Sequence, residues 1–283
     1  MVNKIIPLWN RDENEFNPTL TTYLLDDCLM ETAFPSNQIS PRSRGAVLIC
    51  PGGGYGGCSK REGEPIALSF LAAGYHAFVL EYTTKWSDKN MKHPRPLLDV
   101  SRAMTIIREN AKEWNIDTDK IVICGFSAGG HLAASLGTLG NRCYVKNNPE
   151  IGDNLPNALI LCYSVISSGE FAHRGSFINL LGENATDEQL FELSLEKQVS
   201  NITPPSFIWH TADDEPVPVE NSMLFASALR QQNIPFELHI FPKGVHGLSL
   251  ANAETAPEEC HINPNVQPWI KLCITWLNEL FGK

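Results

Sequence analysis

The run IVICGFSAGGHLAA, Ile121 to Ala134, carries the side chain with the clearest chemical use. An apolar stretch ends in Gly125-Phe126-Ser127-Ala128-Gly129, and an alanine-rich stretch follows. This is G-x-S-x-G in the strand–turn–helix setting of a nucleophile elbow. A tight, strained turn projects the Ser127 hydroxyl from the sheet edge. Glycines at 125 and 129 remove side chains that would collide where strand and helix cross. The helix behind the turn leaves free N–H groups and the positive end of its dipole near the serine. The chemistry suggested is nucleophilic attack on a carbonyl.

A serine hydroxyl needs a base to take its proton. Of eight histidines, His246 in FELHIFPKGVHGLSLA follows a strand-like run and sits in a glycine-flanked loop late in the chain. His76, His210 and His239 fall in or beside strand runs and read as core or edge residues. His131 lies four residues past Ser127 and reads as a packed helix histidine. His93, His173 and His261 have no supporting pattern. The base in turn needs a carboxylate to set its tautomer and stabilise its charged form. FIWHTADDEPVPVENS supplies two candidates just past a strand, Asp213 and Asp214.

The glycines of VLICPGGGYGGCSKREGEP admit two readings. Gly52, Gly54 and Gly57 spell G-x-G-x-x-G, with Glu81 one strand–helix unit later. A dinucleotide turn, however, starts its helix inside the motif so that the N-terminus meets the pyrophosphate. Here CSKREGE intervenes, and Pro65 looks like the first position of the next helix. The loop fits better as a set of backbone donors for an oxyanion, with Gly53 and Gly54 as donors and the N–H of Ala128 completing the pocket. Arg61 and Glu62, which follow, read as a loop-stabilising ion pair or as contacts to a substrate hydroxyl.

These stations need a scaffold. Apolar runs at Leu20–Leu25, Ala46–Cys50, His76–Glu81, Ile121–Cys124, Ala158–Tyr163, Ser206–His210 and Phe236–Phe241 predict strands, most of them covered on both faces. Leu97, Val100, Met104, Ile107, Ala111 and Trp114 form one helical stripe. Further helices are expected at Ala128–Leu139, at Glu220–Gln232 and around Trp269, Cys273, Trp276 and Leu280. The alternation predicts an α/β fold with a mainly parallel twisted sheet and helices on both faces. Ser167–Ile202 departs from it: a polar loop, then a short helix in DEQLFELSLEKQ. We read it as a cap-like insertion over the carboxyl edge of the sheet, within one domain spanning residues 1–283. Phe171, Phe177 and Phe191 would either line an apolar wall of the site or pack the insertion against the body.

Composition narrows the function classes. A net charge of −10 argues against a nucleic-acid surface. No apolar run reaches the ~18 residues of a membrane span. The N-terminal MVNKIIPLWNRDENEF lacks the long apolar region of a secretory signal, so a soluble cytoplasmic protein is expected. Cys50, Cys124 and Cys162 sit in strand-like runs, and no C-x-x-C pair is present, so free thiols are expected and a structural zinc site is not. The sequons at Asn184 and Asn201 read as chance matches. The oligomeric state stays open, a homo-oligomer included.

The order Ser…Asp…His resembles that of α/β-hydrolase-fold serine esterases, from about Arg44 to the C-terminus. Hydrolases of this type carry D-x-x-V-P after the strand, which Asp214-Glu215-Pro216-Val217-Pro218 matches. The resemblance therefore implies Asp214 as the carboxylate, with Asp213 a solvated or loop-bracing neighbour. Hormone-sensitive-lipase-like esterases have H-G-G-G at the glycine loop, whereas this chain has Pro51 at the histidine position. CPGGGYGG, REGEP, GFSAGGHLAASLG, FINLLG and WHTADDEPVPVENS together are similar to bacterial acetyl esterases and acetylxylan-esterase-like proteins. That similarity implies hydrolysis of short acyl esters of sugars by Ser127, Asp214 and His246, with no metal or organic cofactor. A peptidase of the prolyl-oligopeptidase type and a non-catalytic protein on the same scaffold are the alternatives.

Overall fold

A computed structural model of the chain describes residues 3–11, 15–26 and 43–282. Its centre is an eight-stranded sheet in the order β1-β2-β4-β3-β5-β6-β7-β8. The strands are β1 (Ile5–Pro7), β2 (Thr19–Tyr23), β3 (Arg44–Cys50), β4 (His76–Glu81), β5 (Ile116–Phe126), β6 (Ala158–Cys162), β7 (Ser206–Thr211) and β8 (Phe236–Phe241). Strands β4, β3 and β5 to β8 run parallel, while β1 and β2 add an antiparallel edge. The helices are α1 (Glu64–Ala72), α2 (Arg95–Glu109), α3 (Ala128–Leu139), α4 (Cys143–Lys146), α5 (Arg174–Leu181), α6 (Asp187–Glu192), α7 (Glu220–Gln231) and α8 (Trp269–Leu280).

Successive residues of each central strand feed opposite cores, as the two-residue period of a strand requires. Leu48 and Ile123 pack with Val100, Met104, Leu132 and Phe225 on one face. Val47, Ile49, Val122 and Cys124 pack with Phe70, Trp269 and Cys273 on the other. This two-sided burial explains why the parallel strands read as continuous apolar runs. No helix among the described residues is long and apolar enough to cross a membrane.

The structure corrects the predicted elements in four places. The stripe through Ala111 and Trp114 outruns its helix: α2 ends at Glu109, and both residues are buried from the turns that follow. Strand β5 begins at Ile116, which pairs with Arg44; the polar Asp117–Lys120 then falls in a register shift before Ile121 meets Ala46, so no apolar pattern marks the strand's start. The insertion is not a loop followed by one helix. It also contains α5, whose apolar face comes from only Phe177, Leu180 and Leu181 before Gly182 ends it at φ 91°. Finally, β1 is three residues long, too short to show a period. Thr186 of the first sequon is the N-cap of α6, in a reciprocal capping box with Gln189.

Candidate active site

Four loops leaving the carboxyl ends of β3, β5, β7 and β8 meet, the usual place for a site in an open parallel sheet. The loop after β5 is the turn into α3. Ser127 holds φ 52° and ψ −119°, a strained conformation for a residue with a side chain. Its N–H donates to the Cys162 carbonyl of β6 and its carbonyl accepts from His131 and Val165, so the surroundings over-determine the strain. A methyl group on Gly125 would overlap the Gly129 carbonyl, and one on Gly129 would overlap the Cys50 and Pro51 carbonyls. The spacing of the motif is thus a packing requirement.

His246 and Asp214 come to this serine from the loops after β8 and β7. The Ser127 Oγ lies 2.8 Å from His246 Nε2, and His246 Nδ1 lies 2.7 Å from Asp214 Oδ2. Burial would raise the Asp214 pKa, but hydrogen bonds from His210 and His246, the His246 charge and the Val217 N–H outweigh it and hold the carboxyl near 2. An ionised Asp214 accepts only, so His246 carries its proton on Nδ1 and presents a bare Nε2 to the serine hydroxyl. Asp213 is placed elsewhere: it accepts from the Gly244 N–H at 2.7 Å and pairs with Lys243 at 3.5 Å, bracing the loop that carries His246.

The glycine loop closes the third side. Gly53, Gly54, Ser127 and His246 line one cavity of about 240 Å³. Among the described residues, the N–H groups of Gly53, Gly54 and Ala128 donate to no protein acceptor. Gly53 has φ 130°, and a methyl group there would overlap the Gly57 carbonyl.

Several residues to which sequence reasoning assigned other roles or none tie these loops together. Glu62 is buried and accepts from the Gly52 N–H at 2.8 Å and from the Tyr163 hydroxyl at 2.6 Å. Tyr163 in turn accepts from the Ser249 N–H, and its ring packs edge-on against His246 at 5.1 Å. Arg61 donates to the Gly247 and Thr255 carbonyls at 3.0 and 2.9 Å. The two therefore do not pair with each other, contrary to the ion-pair expectation: together they clamp the glycine loop to the histidine loop. Behind Asp214 stands the buried His210, whose Nε2 lies 2.9 Å from the Val217 carbonyl and 3.3 Å from Asp214 Oδ2, and whose Nδ1 meets Ser222 Oγ at 2.7 Å. Its place four residues before Asp214 was the only sequence signal.

The insertion reaches the cavity through His173, which sequence reasoning also missed. Its Nδ1 lies 2.8 Å from Ser176 Oγ, and burial, then the His246 charge, lower its pKa. His131 does not face the cavity. It is buried, with Nδ1 2.8 Å from the Tyr55 hydroxyl and Nε2 2.9 Å from the Leu193 carbonyl, and burial lowers its pKa to about 4. None of the three phenylalanines lines this cavity. Phe177 packs under His131 at 5.4 Å, whereas Phe191 is 56% exposed with Lys197 over its ring. The seven described cysteines are all free, and Cys28 lies outside the described residues. Among the described residues one group could hold a metal ion, the surface trio Glu258, Cys260 and His261, which includes none of the residues above.

The chain is 46% identical over 253 residues to endo-1,4-beta-xylanase B of Butyrivibrio fibrisolvens, covering 86% of this chain and 38% of that protein. It is 36% identical over 208 residues to an acetylxylan esterase of Xylanibacter ruminicola, covering 71% of this chain and 40% of that protein. The chain thus spans about two fifths of the length of these curated relatives. Among solved structures it is similar to an acetyl ester-xyloside bifunctional hydrolase from Caldicellulosiruptor lactoaceticus, with 41% identity and a TM-score of 0.82 over 99% of this chain and 96% of that one. The carboxylesterase Cest-2923 of Lactobacillus plantarum matches at 28% identity with a TM-score of 0.84, over 99% and 98% of the two chains. The BD-FAE family profile matches residues 32–229, more than half of the sequence, and the chain belongs to this family of α/β hydrolases.

Proposed function

We propose that this protein is a serine esterase that removes short acyl groups, acetyl foremost, from sugars or oligosaccharides. The observation that carries the reading is the unbroken hydrogen-bonded path Ser127 Oγ–His246 Nε2, His246 Nδ1–Asp214 Oδ2, set on the strained turn. Ser127 attacks the ester carbonyl as His246 takes its proton. Negative charge grows on the carbonyl oxygen and is met by the N–H groups of Gly53, Gly54 and Ala128; a single such donor is worth about 10²–10³ in rate. The tetrahedral intermediate collapses, the alcohol leaves with the proton from His246, and an acyl-Ser127 remains. Water, deprotonated by His246, then releases the acid and restores the serine. Asp214 stays ionised throughout and stabilises the imidazolium.

The cavity supports the short acyl group. Its volume of about 240 Å³ falls below the ~300–1,000 Å³ of pockets that enclose larger ligands. The sugar component rests on the similarity to the acetylxylan esterase and the acetyl ester-xyloside hydrolase. The seven free cysteines among the described residues suit a reducing compartment, and we assign the enzyme to the cytoplasm. The test is p-nitrophenyl acetate turnover by wild type and Ser127→Ala, followed by acyl chains from acetyl to octanoyl and by acetylated xylo-oligosaccharides. We expect the variant to lose activity by about 10⁵–10⁶-fold with an unchanged melting curve. Near-normal turnover by the variant overturns the mechanism, and a preference for octanoyl overturns the acyl assignment.

A further inference from the structure

A second cavity, of about 490 Å³, lies beside the first. Ser59 and Arg61 line both, so the short turn at Lys60–Glu62 is the partition between them. The larger cavity falls within the ~300–1,000 Å³ typical of small-ligand sites. Pro51 and Val79 contribute an apolar floor, joined by the ring of Tyr23. Glu64, Glu81 and Glu254 supply carboxylates at exposed positions.

The composition selects the ligand. Three carboxylates against Lys60 and Arg61 leave the lining net acidic, which opposes a phosphate or a uronate. Arg61 is further committed to the Gly247 and Thr255 carbonyls. Ionised carboxylates only accept hydrogen bonds, so their natural partners are hydroxyl donors. Apolar floor and accepting rim together suit a neutral polyhydroxylated ring. At the partition, Ser59 Oγ has no protein partner among the described residues, and it lies where a chain passing between the cavities would meet it. We infer that this cavity is a distal subsite for the carbohydrate part of the substrate, one or more neutral sugar units removed from the acylated position. The inference rests on the sugar-esterase reading and extends it from the scissile ester to the rest of the oligosaccharide.

The experiment compares kcat/KM for singly acetylated xylobiose and xylotetraose in wild type, Glu254→Trp and Glu81→Gln, each expressed as a ratio so that any general loss cancels. Glu254 is exposed, so tryptophan fills the cavity without entering the core. Wild type should favour the longer substrate by about tenfold, the effect of one or two sugar hydrogen bonds. Both variants should bring the ratio towards one. Calorimetric titration with unacetylated xylotetraose, which needs no catalysis, should show binding to wild type that Glu254→Trp abolishes. A length preference that survives in both variants overturns the subsite. So does an effect of Glu254→Trp confined to octanoyl esters, which would assign the cavity to acyl chains. Xylotetraose binding without turnover of any acetylated xyloside would support the subsite while overturning the sugar-esterase reading.

Discussion

The elbow and the insertion flank the same cavity but are built differently. Every residue of α3 is buried, and the Ser127 turn is locked by backbone bonds to β6 and the segment after it. In the insertion, α6 buries none of its residues. The insertion is joined to the glycine loop and the elbow helix by few polar ties, among them Asn179 Nδ2 to the Gly54 carbonyl and His131 Nε2 to the Leu193 carbonyl. The difference separates two demands. Bond-making groups must be held to within fractions of an ångström, which only a close-packed core achieves. His173, the insertion's residue at the cavity, sits on a segment that can change without disturbing that core.

If that division is right, the largest effect comes from the core side. Asp214→Asn should lower kcat on p-nitrophenyl acetate by about 10⁴-fold, because the amide no longer fixes the histidine tautomer; stopped-flow or steady-state kinetics will measure it. A loss of only a few-fold would mean that the carboxylate merely packs. Next is the apolar anchor between the two regions. Phe177→Ala should destabilise the protein by about 3–5 kcal/mol in urea unfolding, since the ring is 4% exposed beneath His131.

His131 sharpens the comparison through pH. Its folded pKa of about 4 lies below the unfolded value of 6.5, so between these values the unfolded chain binds more protons. Stability is therefore full above pH 6.5 and falls as the pH drops towards 4, by on the order of 3 kcal/mol from this residue. The slope of stability against pH across that window should flatten in His131→Gln, measured by urea midpoints at each pH. His76, and with it His93, His173 and His261, whose pKa values burial also lowers, contribute in the same direction and should remain as the residual slope. Smaller still, His173→Ala should raise KM for acetylated xylosides about three- to tenfold with little change in kcat, as the loss of one hydrogen bond would. Phe191→Ala, at the exposed end of the insertion, should move stability by no more than about 0.5 kcal/mol.

Legibility in the sequence followed the same division. Helix α3 was predicted from about Ala128 to Leu139, where it lies, because the elbow motif and the alanine-rich run that follows allow few other structures. The central parallel strands were visible as apolar runs, since both their faces are buried. Helix α5 was hidden because only a few of its residues enter the core. Among the site residues, Ser127 and His246 stood out by motif and by loop position. Choosing Asp214 over Asp213 needed a family pattern, because adjacent carboxylates are indistinguishable until the backbone turns one inward. The ion-pair alternative for Arg61 and Glu62 failed for a related reason: neighbours in sequence found partners far along the chain.

By itself, then, the sequence determined the alternation of strands and helices, the strained serine turn and the order of the three chemical stations. These are local patterns of apolar periodicity and turn chemistry, written in consecutive residues. The tertiary structure alone decided that Glu62 and Tyr163 bind the glycine loop to the histidine loop, that His210 stands behind Asp214, and that a second cavity opens across Ser59 and Arg61. Each depends on contacts between residues distant in the chain, and the free energy that selects them comes from packing the whole sheet rather than from any one segment.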